Sequence, residues 1–80
     1  MNVNQAVSKR VSNLLVKNNM TQYRLERNSG VIPQTLASIM KGKNKTVTFS
    51  TIIMIAKGFN MTLLEFLDDP LFDYDNLEAE

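Results

Sequence analysis

Between Thr21 and Gly42 the chain places helix stop and start signals at a spacing that leaves room for two short helices and one tight turn. Thr21 has a hydroxyl able to accept from the amide of residue 23 or 24, as a helix N-cap does. Arg24 stands where a full capping box would put Glu or Gln, so this cap is half made. Gly30, after Asn28-Ser29, tolerates the positive φ common just past a helix end. Pro33 has no amide to donate and a φ suited to a first helical turn, so the second helix is predicted to start near Ile32-Pro33. Gly42, after Met40-Lys41, marks its end with a cation in the last turn. An apolar face returns at Val31, Leu36 and Ile39. The second helix is thus held across a supporting one, with its outer face free to act as a probe.

The flanking segments read as helices that hold the probe. Residues 4–18 carry Val7, Val11, Leu14 and Leu15 at amphipathic spacing, with Val3 and Met20 near the ends. Asn2 or Asn4 is the expected cap, and Asn18-Asn19 the expected stop. Thr48 or Ser50 is placed to cap a fourth helix, in which Phe49, Ile52, Ile53, Ile55, Ala56 and Phe59 predict the most buried element. Thr62 and Glu65 have capping-box spacing and open a short fifth helix, with Leu63, Leu64, Phe66 and Leu67 predicted to bury. Asp68-Asp69-Pro70 ends it. Beyond lie Leu71, Phe72, Tyr74 and Leu77, more apolar content than a disordered acidic tail usually has, so the tail is expected to pack against its own domain or a partner. Met20, Met40, Met54 and Met61 are expected to fill gaps in the core, and Tyr23 to sit at its edge.

Eighty residues make one domain, small enough that a helical bundle is the economical fold. Cys and His are both absent, which excludes a disulfide framework, Cys/His zinc clusters and Ser-His or Cys-His catalysis. The paired carboxylates Asp68-Asp69 adjoin a proline rather than a pocket, and no Gly-rich phosphate loop occurs, so no enzyme, metal or cofactor is expected. No apolar run has the length of a signal peptide or membrane span, and a cytoplasmic location is expected. The net charge of +1 conceals a division. Residues 1–67 hold all nine basic side chains against Glu26 and Glu65, a net of +7, whereas residues 68–80 carry six acidic groups and no basic one, a net of −6. A basic body suits a polyanion, and an acidic tail suits self-masking or a protein partner. Helix-turn-helix geometry beside a basic surface is how many small proteins put side chains in the DNA major groove.

The order of five helices, the Met20-Thr21-Gln22 opening of helix two, the Ser29-Gly30-Val31 turn, and Thr35-Leu36, Ile39 and Gly42 of helix three resemble the phage-repressor and Cro-type helix-turn-helix family, also called the Xre family. So do Thr51, Ile55, Ala56 and Lys57, followed by Thr62-Leu63 and Glu65-Phe66-Leu67. The likeness runs over roughly residues 5–67. It implies an all-α, five-helix lambda-repressor-like bundle with a helix-turn-helix at helices two and three. It also implies a sequence-specific regulator of transcription, a repressor in the first instance, that binds double-stranded DNA as a homodimer. The domain division expected is 1–67 for DNA binding and 68–80 for the acidic tail.

Carried across by position, the family's base-reading sites fall on Pro33, Gln34, Thr35, Ser38 and Lys41. Gln34 is the best candidate, because its amide matches the N6 and N7 edge of adenine. The backbone-gripping sites fall on Thr21, Gln22, Lys43, Asn44 and Lys45, the first two at a helix N-terminus that favours an anion. Three residues depart from the family pattern. Glu26 stands where a small Ala is usual, so either the helices pack differently or the carboxylate turns towards Arg27 or a lysine. Ile32 is a poor cap for helix three. Pro33 replaces a frequent Arg or Gln, which leaves few base-reading groups and shifts weight to DNA shape. The competing class is a protein-interaction module, antitoxin-like on the same fold, that binds a partner through the acidic tail. In that case Gln34, Thr35 and Ser38 are ordinary solvated positions and the lysine loop an ordinary turn.

Overall fold

The computed structural model describes residues 1–42 and 47–78. Its elements in chain order are α1 (Val3–Lys17), α2 (Gln22–Ser29), α3 (Pro33–Met40), α4 (Phe49–Gly58) and α5 (Leu63–Leu67), followed by two 3₁₀ turns at Pro70–Phe72 and Tyr74–Asn76. The expected five-helix, all-α bundle is therefore found. Cap chemistry sets the boundaries. Asn2, rather than Asn4, starts α1 with a reciprocal capping box to Gln5, and Asn4 is buried. Thr21, Thr48 and Thr62 each accept from the amide three residues on, and Glu65 completes the box at α5. The chain reverses where left-handed residues are needed, at Asn19 (φ 50°), Gly30 (φ 78°) and Gly42 (φ 66°).

One core joins all five helices. Val7, Val11 and Leu14 of α1 meet Leu25 of α2, Leu36 and Ile39 of α3, Ile52, Ile55 and Ala56 of α4, and Phe66 of α5. Burying side chains of this size is worth roughly 1.5–3 kcal/mol each. Met20, Met40 and Met61 pack against the core as expected, but Met54 is partly exposed and lies over the Gly30 turn. Three further burial expectations fail. Phe49 is 62% exposed, Ile53 44% and Leu64 79%. On α4 the buried stripe is Ile52, Ile55, Ala56 and Phe59, and the strip through Phe49 and Ile53 lies on its flank, towards water. By share of its residues α4 is nonetheless the most buried helix, as expected, with Ile52, Ile55, Ala56 and Gly58 buried among its 10 residues against five among the 15 of α1.

α2 packs closely against α4 at Gly58. A Cβ on Gly58 would stand 2.8 Å from Ser29 Cβ and 2.9 Å from Leu25 Cδ1, so a side chain there would force the helices apart.

The segment after α5 folds back onto α1. Arg10 reaches across from α1 and donates through Nε to the Phe66 carbonyl at 2.8 Å, through Nη2 to the Glu65 carbonyl at 3.0 Å, and through Nη1 to Asp69 Oδ2 at 3.0 Å. Its guanidinium also lies 5.7 Å from the centroid of the Phe66 ring. Phe72 packs on the same ring with centroids 6.0 Å apart, and the Glu78 amide donates to the Met1 carbonyl. The tail, expected to pack against its own domain or a partner, packs on the domain through Phe72, with Leu71 half-buried next to it, whereas Tyr74 is 90% exposed.

Candidate nucleic-acid interface

Helix α3 owes its orientation to one buried and one open stripe. Leu36 and Ile39 are sealed in the core, which turns Gln34, Ser38 and Lys41 outward at i, i+4 and i+7 spacing. Pro33, Gln34 and Lys41 are exposed, and Thr35 and Ser38 are half-buried beside them. All five positions inferred for base reading therefore belong to the open side or the ends of one helix. The start of α3 carries no side-chain cap, in keeping with Ile32 at that place, and Pro33 occupies the first turn. Its far end is fixed to α1, where the Ser8 hydroxyl donates to the Met40 carbonyl at 3.0 Å. That bond holds α3 against its support independently of any loop.

The supporting helix begins at Thr21, whose hydroxyl accepts from the Arg24 amide at 3.1 Å. Gln22 follows as the first helical residue, half-buried, with exposed Tyr23 and Arg24 next. The turn is closed locally: the Gly30 amide donates to the Glu26 carbonyl and the Val31 amide to Ser29 Oγ at 3.1 Å. Buried Val31 then pins the chain before Pro33. Of the inferred backbone-contact positions, Thr21 and Gln22 lie at the start of α2, while Lys43, Asn44 and Lys45 lie outside the described residues.

Two features were missed by the sequence. Tyr23, expected at the core edge, is 63% exposed and accepts from Arg27 Nη1 at 3.0 Å, with the guanidinium 5.9 Å from its ring centroid. Only the i, i+4 spacing of the two residues signals that pair. Arg10, counted towards the basic surface, is instead committed to α5 and Asp69, so the cationic surface is smaller than the sequence count. Glu26, half-buried, forms no ion pair with any other described residue, and neither do Lys9, Lys17, Arg24, Lys41 or Lys57. Of the two alternatives for Glu26, an ion pair with Arg27 or a lysine is not found among the described residues.

Among the described residues no helix is long and apolar enough to cross a membrane. No group of three or more His, Cys, Asp or Glu gathers there as a metal site requires. No curated protein and no solved structure matched the chain on comparison. A family model for the Cro/C1-type helix-turn-helix DNA-binding domain matches residues 10–70, most of the chain and all of α2 to α5. With that match and a helix-turn-helix bundle built as the family requires, the chain belongs to the Cro/C1-type helix-turn-helix DNA-binding domains.

Proposed function

We propose that this DNA-binding domain is a sequence-specific transcriptional regulator, a repressor, that lays α3 in the major groove and binds its operator as a homodimer in the cytoplasm. The observation that carries this is the outward stripe of Gln34, Ser38 and Lys41 on a helix whose opposite stripe is fully buried. Gln34, Thr35 and Ser38 read bases, with Pro33 shaping the helix start and Lys41 its end. Thr21 and Gln22 offer amides and polar side chains to one phosphate strand, and Lys43, Asn44 and Lys45 grip the other side. No catalysis and no cofactor are assigned. Residues 1–67 form the DNA-binding domain, and residues 68–80 are an acidic appendage.

The test begins with selection of a preferred duplex from a random library. Gln34→Ala then weakens the selected duplex by roughly 1–3 kcal/mol more than random DNA, the discrimination of one bidentate contact. Lys43→Ala weakens both alike, as a phosphate contact does. Equal losses on both duplexes for Gln34→Ala would remove that residue from base reading.

A second function, docking of a protein partner on the same fold, is favoured by the exposure of Ile32, Phe49, Ile53 and Leu64, large apolar groups that a monomer gains little by showing to water. A pull-down that retains a stoichiometric protein and no DNA at physiological salt would establish it in place of the first.

A further inference from the structure

A groove of about 450 Å³ runs between α1 and the end of α3. One wall is a stripe of α1, with Gln5, Ser8, Lys9 and Ser12 at helical spacing, and the other is Lys41 and Gly42. Lys9 and Lys41 are exposed, and neither is paired with a carboxylate among the described residues. Met1 also lines the groove and holds Glu78 at 3.2 Å through its terminal ammonium, but among the described residues no acidic side chain is itself part of the lining. The Ser8–Met40 hydrogen bond fixes the two walls to each other, so the separation of the backbones that carry Lys9 and Lys41 is set by packing. Two cations, the Ser12 hydroxyl and the Gln5 amide around an open trough make an anion site, while the Ser8 hydroxyl is spent on the Met40 carbonyl.

The geometry points to this groove as a seat for backbone phosphates of duplex DNA, with Lys9 on one wall and Lys41 on the other. The inference rests on the function proposed for α3 and extends its contact surface onto α1, which supplies no residue to the interface inferred from the sequence. A trough open along its length suits a continuous strand better than a free phosphate ion. Lys41 belongs both to the groove and to the exposed stripe of α3, so a strand followed out from α3 enters the groove without leaving the protein surface. On this arrangement Lys41 holds phosphate rather than a base edge.

The test is fluorescence anisotropy of a random-sequence duplex with the full chain across a salt series. Each phosphate neutralised contributes about 0.9 to the slope of log affinity against log salt. Lys9→Gln is expected to lower the slope by about one unit, equally on a selected duplex, while Lys9→Arg keeps it. Lys57→Gln removes the same charge from the last turn of α4, away from the groove, and is expected to leave the slope unchanged. A wild-type slope retained by Lys9→Gln would overturn the groove and leave the role of α3 intact. An equal drop for Lys57→Gln would overturn it too, by assigning the effect to overall charge. Absence of wild-type binding even at low salt would remove the proposed function of α3, and the groove with it.

Discussion

Gly58 of α4 lies so close to Ser29 of α2 that a methyl group on it would meet the Ser29 Cα at 3.1 Å as well as its Cβ at 2.8 Å. The backbone of α2 cannot move aside as a flexible side chain would. Gly58→Ala should therefore destabilise the protein by about 1–3 kcal/mol, as overpacking does. That loss outweighs the roughly 1 kcal/mol that alanine gains over glycine inside a helix. Thermal unfolding measures it, and Ser29→Gly in the same background should recover part. A neutral or stabilising Gly58→Ala would mean that α2 and α4 separate freely.

Arg10 ties the end of α5 and the start of the tail to α1. Its side chain is 11% exposed and that of Asp69 23%, so both sit largely out of water. Arg10→Ala leaves the Phe66 and Glu65 carbonyls and the Asp69 carboxylate without this donor, at a cost of about 2–4 kcal/mol. Asp69→Asn leaves the carbonyl contacts in place and should cost about 1 kcal/mol. Urea titration ranks the two. Equal losses would give the ion pair the whole effect and the carbonyl contacts none.

Two phenylalanines that look alike in sequence should behave differently. Phe66 is fully buried, and Phe66→Ala should cost about 3–5 kcal/mol. Phe49 is 62% exposed, and Phe49→Ala should stay within about 0.5 kcal/mol in the monomer. Denaturant unfolding at low protein concentration decides it. A large loss for Phe49→Ala would show that its face is covered in the folded protein.

The structure of this chain was legible where local chemistry decides it. Thr21, Thr48 and Thr62 cap helices because a hydroxyl and an amide three residues on need no distant partner. Gly30 and Gly42 end theirs because φ there is positive. What was misread depends on neighbours. The apolar character of Phe49, Ile53 and Leu64 says that water would expel them, but not which element, if any, covers them. Arg10 sits 56 residues from Phe66 in sequence, and nothing near it indicates that its donors serve carbonyls rather than a polyanion. The candidate site was legible as a stripe of α3 because its register follows from Leu36 and Ile39. The α1 wall facing Lys41 was not, since only tertiary packing brings Lys9 to it.

The acidic tail bears on the same surface. Met1 lines the groove with Lys9 and Lys41 and also lines a second cavity with Asp69, Leu71 and Asn76. Truncation after Phe72 keeps the Arg10–Asp69 pair and the Phe72 contact but removes Asp73, Asp75, Glu78 and Glu80, taking the net charge from +1 to +5. The shortened chain should bind random duplex DNA several-fold more tightly at low salt, with the gain fading as ions screen it. Anisotropy with light scattering on the same samples checks this. Weaker binding by a monomer would identify the tail as a dimer contact instead.

The central claim is that the open side of α3 and the start of α2 meet DNA. Amide chemical-shift mapping by NMR, with duplex DNA titrated into the isotope-labelled chain, tests it residue by residue. The largest changes should fall on Thr21, Gln22, Gln34, Thr35, Ser38 and Lys41, with those around Phe49 and Ile53 small. Changes centred on the Phe49–Ile53 face of α4, or none at a concentration where anisotropy reports binding, would contradict it.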